Sequence, residues 1–271
     1  MVTDIKVAEP QKAAAAKGEG RYVYCIADTG DSVSLGGIGL GGNEVYTVPF
    51  QDICAVVHDC SAEPYKSDVQ EKVRDWVMTH QAVVDAAWNR WGAVLPSSFD
   101  VIVRGEAEAD AGRCVRRWLE QDYERLKRKM LIIREKAEYG VQVFWDPKAI
   151  ARSIAETSPE VKKLEEEVRS RPRGLAYMYR QRLESLLRRE MEVGADRCFK
   201  ECYARIKQHV DDIRVEKTQR TETDSRMILN LSCLVLRNKY TELGEELDSI
   251  NQMAGLSVRF TGPWPPYSFV G

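Results

Sequence analysis

Apolar residues along this chain recur with two periods, and the switches between them outline its elements. Residues 21–27, Arg-Tyr-Val-Tyr-Cys-Ile-Ala, are rich in β-branched and aromatic side chains and stop at Asp28-Thr29-Gly30, which predicts a buried first strand. Residues 45–48 and 53–58 predict a hairpin, with Pro49-Phe50-Gln51-Asp52 as its turn. From residue 68 to about 90, Val69, Val73, Trp76, Val77, Val83, Val84 and Ala87 recur at three- and four-residue spacing, so an amphipathic helix packs one face on the sheet. Val94-Leu95-Pro96 and residues 99–103 predict an interrupted strand, because proline donates nothing to a ladder. A second helix follows over about 106–133, turning Val115, Trp118, Leu119, Leu126 and Met130 inward.

After a charged junction at 134–138 the order becomes strand, long helical segment, strand, strand, helix, strand: 139–145, helices to about 210, 213–218, 227–236, 240–253 and 256–260. That βαββαβ order is the ferredoxin-like signature. Asp146-Pro147 and Ser158-Pro159 each place a side-chain acceptor before a proline that needs no amide partner, which starts a helix. Val161, Leu164 and Val168 form one stripe, Ser170-Arg171-Pro172 interrupts it, and Leu175, Tyr179, Leu183, Leu186 and Leu187 form another. These stripes predict an antiparallel, coiled-coil-like helical hairpin at about 158–190, projecting from the sheet. The predicted fold class is α+β in two domains. Residues 1–20 are a flexible extension, 21–134 an N-terminal α/β domain, 135–260 a C-terminal modified ferredoxin-like domain, and 261–271 a tail.

Composition narrows the function classes. A 271-residue chain with 44% hydrophobic and 30% charged residues can bury a sizeable core. Forty basic against forty-two acidic residues leave a net charge of -2, so no global field favours nucleic acid or an anionic membrane as a partner. No apolar run approaches the roughly 18 residues that a span requires. The first twenty residues lack a basic segment followed by an apolar stretch, which points to the cytoplasm. Seven scattered cysteines do not form a secreted disulfide framework and suit reduced, buried thiols.

Chemistry-bearing patterns are few. Gly37-Ile-Gly39-Leu-Gly-Gly42 satisfies G-x-G-x-x-G, but the phosphate cradle needs a helix next and a strand follows. Cys54, His58 and Cys60 share a strand face by period-two alternation, three ligands with no second half-site. They support an alternative reading as a metal- or small-ligand-binding module. Neither His80 nor His209 has an identifiable nucleophile and orienting group, and the chain contains no P-loop, H-E-x-x-H or G-x-S-x-G. The reading is therefore no catalytic residue, no cofactor and no metal.

The sharpest feature is the tail, Gly262, Pro263, Trp264, Pro265, Pro266, Tyr267 and Phe269. Three prolines fix φ and remove donors, so the segment runs extended and loses little entropy on ordering. Its aromatics offer packing surface to the chain's own body or to a partner, and Pro263-Trp264-Pro265-Pro266 also has the P-x-x-P form read by aromatic grooves.

This tail resembles the Gly-Pro-Trp-Pro-Pro-Tyr-x-Phe ending of the gas vesicle GvpF/GvpL family. The resemblance extends to Tyr22-Val-Tyr-Cys-Ile26, Gly37-Ile-Gly39 before Val45-Tyr46, His80, and Leu229-Asn-Leu-Ser-Cys-Leu-Val235. The family's Leu-Pro followed by a basic residue, Phe and Gly is here Leu95-Pro96-Ser97-Ser98-Phe99-Asp100, without the basic residue or the glycine. The resemblance implies a non-catalytic structural or assembly protein of gas vesicles, with the major shell protein and other accessory proteins as partners. It implies a cytoplasmic, vesicle-associated location.

Overall fold

A computed structural model describes residues 19–107, 109–219 and 225–270, so almost all of the predicted N-terminal extension lies outside the described residues. The chain divides into two compact units between Arg134 and Glu135.

In the first unit β1 (Glu19–Ala27) is the hub of the sheet. It pairs antiparallel with β4 (Ile53–Ser61) on one edge, and on the other with two short strands in succession, β5 (Val94–Pro96) and β6 (Ile102–Arg104). β3 (Val45–Phe50) and the three-residue β2 (Ser34–Gly36) extend the β4 side, giving the order β2-β3-β4-β1-β5. Residues 22–27 are all buried, so β1 is covered on both faces. Tyr22 and Tyr24 turn toward α1 (Gln70–Trp91), where they meet His80, and Arg21 turns toward α2 (Ala111–Ile133) near Gly112.

Two boundaries differ from the sequence reading. Pro49 and Phe50 belong to β3 rather than to the turn, which is only Gln51-Asp52, with Gln51 left-handed at a φ of 51°. β2 reaches only Val45 and Tyr46, so Pro49 sits on an open edge where its missing N–H costs nothing. Phe50 is held by Tyr123 at 5.8 Å, edge to face. Helix α2 starts at Ala111 instead of near 106, because Asp110 is its N-cap: its Oδ1 accepts the Arg113 N–H at 2.9 Å. Toward the other end of α2, Lys127 donates to Asp28 at 2.9 Å and Asp52 at 2.8 Å.

The second unit is one antiparallel sheet in the order β10-β7-β9-β8. Its strands are β7 (Lys136–Trp145), β8 (Asp212–Val215), β9 (Arg226–Leu236) and β10 (Leu256–Trp264). Ala137, Tyr139, Val141, Val143 and Trp145 of β7, with Leu229, Leu231, Cys233 and Val235 of β9, make the buried face. Three helices separate β7 from β8: α3 (Pro147–Thr157), α4 (Pro159–Ser170) and α5 (Arg173–Lys207). Asp146 caps α3 by accepting from Lys148 and Ala149, and Ser158 caps α4 by accepting from Val161, the two acceptor-proline starts read from the sequence. Helices α4 and α5 pack together, burying Val161 and Ala176, and α6 (Tyr240–Asn251) is tied to α5 by Arg205, which donates to Glu246 and to Ser249 at 2.8 Å. Strand β8 is shorter than predicted, ending at Val215.

Candidate functional site

The tail grows out of the edge strand of the second sheet. β10 runs in register from Leu256 opposite Trp145 to Thr261 opposite Gly140, and resumes after a bulge with Trp264 opposite Glu138. The strand thus continues past residue 260, where the sequence reading ended it; edge position is what lets Pro263 stay in the ladder. The Gly262-Pro263 bond is cis, and Gly262 has a φ of 117°, with the Glu138 carbonyl oxygen 2.8 Å from where a β-carbon would stand. Gly262→Ala is therefore expected to cost about 1–3 kcal/mol through strain and overlap. Urea unfolding measures it, and an unchanged midpoint would refute the constraint.

Beyond Trp264 the chain crosses the sheet. Pro265, Pro266 and Phe269 are buried, and Tyr267–Phe269 form a single 3-10 turn. The Ser268 N–H donates to Glu138 Oε2 at 2.7 Å, and its hydroxyl donates to Oε1 at 2.6 Å and stands 3.0 Å from the Ser232 hydroxyl. Farther along, the Arg214 guanidinium lies 5.5 Å from the Phe269 ring centre. One segment therefore touches β7, β9 and β8 in turn. Glu138, 9% exposed, is the only buried carboxylate among the described residues, and this one tail residue meets both of its oxygens. A desolvated carboxylate requires such partners.

The seven predicted tail residues consequently divide. Gly262, Pro263 and Trp264 stay exposed in the edge strand; Pro265, Pro266 and Phe269 are buried; Tyr267 is half-buried. Burial of Pro265 and Pro266 removes the P-x-x-P segment as a free ligand in this state. On the face of the sheet away from Trp264 stands an aromatic ledge. Tyr139, itself buried, stacks on Phe260 at 5.2 Å and on Tyr240 at 6.4 Å, and Phe260 and Tyr240 are 37% and 51% exposed.

The histidines of the first unit are structural. His80 Nε2 lies 3.2 Å from the Ser97 carbonyl, which can only accept, so Nε2 carries the proton and Nδ1 accepts the Tyr22 O–H at 2.9 Å. Tyr22 Oη also accepts the Asp100 N–H at 3.0 Å, and Asp100 Oδ1 accepts the Tyr65 N–H at 2.9 Å. Asp100 has a φ of 70°. That left-handed conformation favours glycine, and aspartate is among the few other residues that adopt it readily. It stands where the resemblance leads one to expect glycine.

His58 is fully buried, stacked on Tyr22 at 5.1 Å, with Nε2 3.0 Å from Tyr65 Oη and no partner for Nδ1 among the described residues. Burial pushes it down to about 4, and burial lowers His80 as well. Burial raises the Cys54 thiol to about 12 and also raises Cys60, so neither is poised as a thiolate ligand. Among the described residues no three His, Cys, Asp or Glu side chains converge. In the glycine-rich loop, a short 3-10 turn at Leu40–Gly42 precedes β3, and Leu40 is buried with its N–H on Tyr24 Oη at 2.9 Å. The loop packs inward and opens no helix.

Residues 20–271 match the family model described as gas vesicle synthesis protein GvpL/GvpF. Gas vesicle protein L1 of Halobacterium salinarum is 32% identical over 262 residues, covering 92% of this chain and 90% of that protein. Gas vesicle protein L of Haloferax mediterranei is 25% identical over 287 residues, covering 93% and 87%. The crystal structure of the gas vesicle protein GvpF from Anabaena sp. PCC7120 superposes with a TM-score of 0.73 at 19% identity, covering 93% of this chain and 98% of that one, a likeness of fold.

Proposed function

The chain belongs to the gas vesicle synthesis GvpL/GvpF family, and from that premise we propose that it is a non-catalytic protein that binds the major gas vesicle shell protein and supports vesicle formation, as a minor component or an accessory chaperone. The observation that carries this reading is the ledge of Phe260 and Tyr240, two large aromatics left exposed beside Tyr139 on the edge of a sheet. Exposed aromatics grouped at one place suit protein contact rather than solvent. A shell subunit exposes apolar surface and strand edges before it polymerises, and a partner that covers them suppresses non-productive association. The function places the chain in the cytoplasm and at the vesicle, among the shell protein and other accessory proteins.

The same reading takes the two units as domains, the second of them ferredoxin-like with a projecting α4-α5 hairpin. Its sheet order, in which the first and third strands are central and the fourth and second are edges, supports that assignment.

Co-expression with a gas vesicle shell protein, followed by affinity capture of this chain, tests the function. Retention of the shell protein is expected, and Tyr240→Ala with Phe260→Ala is expected to reduce it about tenfold or more, the scale of losing two aromatic anchors. Absence of any retention by the intact chain, with vesicle yield indifferent to its presence, would sink the proposal.

A further inference from the structure

The hydrogen-bond register of β10 identifies a short open edge beside the aromatic ledge. Gly255 accepts the Asp146 N–H at 2.8 Å, and pairing then continues without a break from Leu256 to Thr261. Antiparallel pairs alternate between hydrogen-bonded and non-hydrogen-bonded, so Ser257, Arg259 and Thr261 bond to β7, while Leu256, Val258 and Phe260 direct their backbone groups away from it. Two of those outward N–H groups are already satisfied inside the unit: Leu256 donates to the Met253 carbonyl at 3.1 Å and Val258 to Asn251 Oδ1 at 2.9 Å. On the far side the bulge at Gly262 and the donorless Pro263 end the regular ladder. Between these two stops lies Phe260, with outward N–H and C=O and its ring on the ledge. A sheet edge is normally blunted along its whole length, and here blunting stops at one residue.

We infer that the Phe260 edge of β10 is a strand-addition site, and that its occupant is an extended segment of the shell protein that pairs with Phe260, lays an apolar side chain against the Phe260 ring, and brings an acidic side chain to Arg259. The identity of the occupant rests on the function proposed above. Charge complementarity supplies the acidic requirement: Arg259 is exposed, and the residue opposite it on β7 is the neutral Gln142, itself hydrogen-bonded to Asn230. Backbone pairing supplies affinity that is insensitive to sequence, and the alternating pockets supply selectivity. Because the open edge holds a single paired residue, the added strand is short and the contact reversible, which suits a protein that hands its partner on to a growing wall.

The test uses the full chain co-expressed with the shell protein. Phe260→Pro removes the outward donor while leaving the inward pairs of β10 in place, and Arg259→Glu reverses the charge without touching the backbone; Val77→Asp, on an exposed position of α1, serves as a control. Either edge variant is expected to retain roughly tenfold less shell protein than the intact chain while melting as a folded protein, with Val77→Asp unchanged. If Phe260→Pro fails to fold, Arg259→Glu alone decides. Equal retention by the intact chain and Arg259→Glu overturns the edge assignment and leaves the proposed function standing. No retention by the intact chain removes both. A homodimer of this chain that Phe260→Pro dissolves would assign the edge to a second copy and overturn the inference.

Discussion

A chain ending at Trp264 is expected to unfold its second unit about 4 kcal/mol or more below the intact chain. Two terms add. Burying Phe269 contributes about 2 kcal/mol, and removing Ser268 deletes two hydrogen bonds to the charged Glu138 carboxylate, together about 2–3 kcal/mol once water replaces them. Pro265 and Pro266 leave further buried surface uncovered. The two terms separate in a cycle: Ser268→Ala alone removes the hydroxyl but keeps the N–H, and is expected to cost about 1–2 kcal/mol. In a Glu138→Gln background, where the acceptor is neutral and its hydrogen bonds to Ser268 are weaker, the truncation penalty is expected to shrink by a similar amount. Urea unfolding followed by circular dichroism gives each value. A truncation cost under about 1 kcal/mol would mean that the segment lies on the sheet without holding it.

The second large effect is acid lability of the first unit. An unfolded histidine binds its proton near pH 6.5, whereas buried His58 does so only near 4. Between those values the unfolded state holds more protons than the folded one, so stability is complete above about pH 6.5, falls as pH drops through the window, and has been lost by about pH 4. A displacement of that size corresponds to roughly 3 kcal/mol, and His80, lowered for the same reason, acts with the same sign. His58→Gln is expected to flatten most of the slope between pH 6.5 and 4.5 in chemical denaturation. Asp52 does not mimic this, because the Lys127 hydrogen bond holds it below the usual range and it loses its contribution only at lower pH. A slope that persists in His58→Gln would move the effect to another group.

Most of the architecture was legible because it follows from local rules. Period-two and period-3.6 runs located the long strands and helices, and the Asp146-Pro147 and Ser158-Pro159 starts stand where the sequence put them. Boundaries failed where tertiary position overrides local chemistry. Pro49 and Pro263 read as strand breakers, and both lie in strands because their missing donors face open edges. Asp110, an acceptor side chain directly before Ala111, was the available signal for the start of α2.

The candidate site was half legible. Aromatics and prolines marked the tail, but nothing local marks Glu138 as the residue it grips, since no rule of spacing joins positions 138 and 268. The same holds for Tyr22, His80 and Asp100, joined only by the fold. Asp100, where the resemblance leads one to expect glycine, is a departure in sequence. Its backbone has the left-handed conformation that glycine favours, so aspartate fits the turn there.

The position of β1 at the centre of its sheet has a kinetic consequence. The β3-β4 hairpin needs only a two-residue turn and can close within microseconds, while β1 must wait for partners on both edges, one of them beyond the whole of α1. Closing that long loop is the slow, entropically costly step. Until Val94–Pro96 and Ile102–Arg104 arrive, the most buried strand of the unit has one bare side, so the interval before α1 docks is when this chain is most in need of protection.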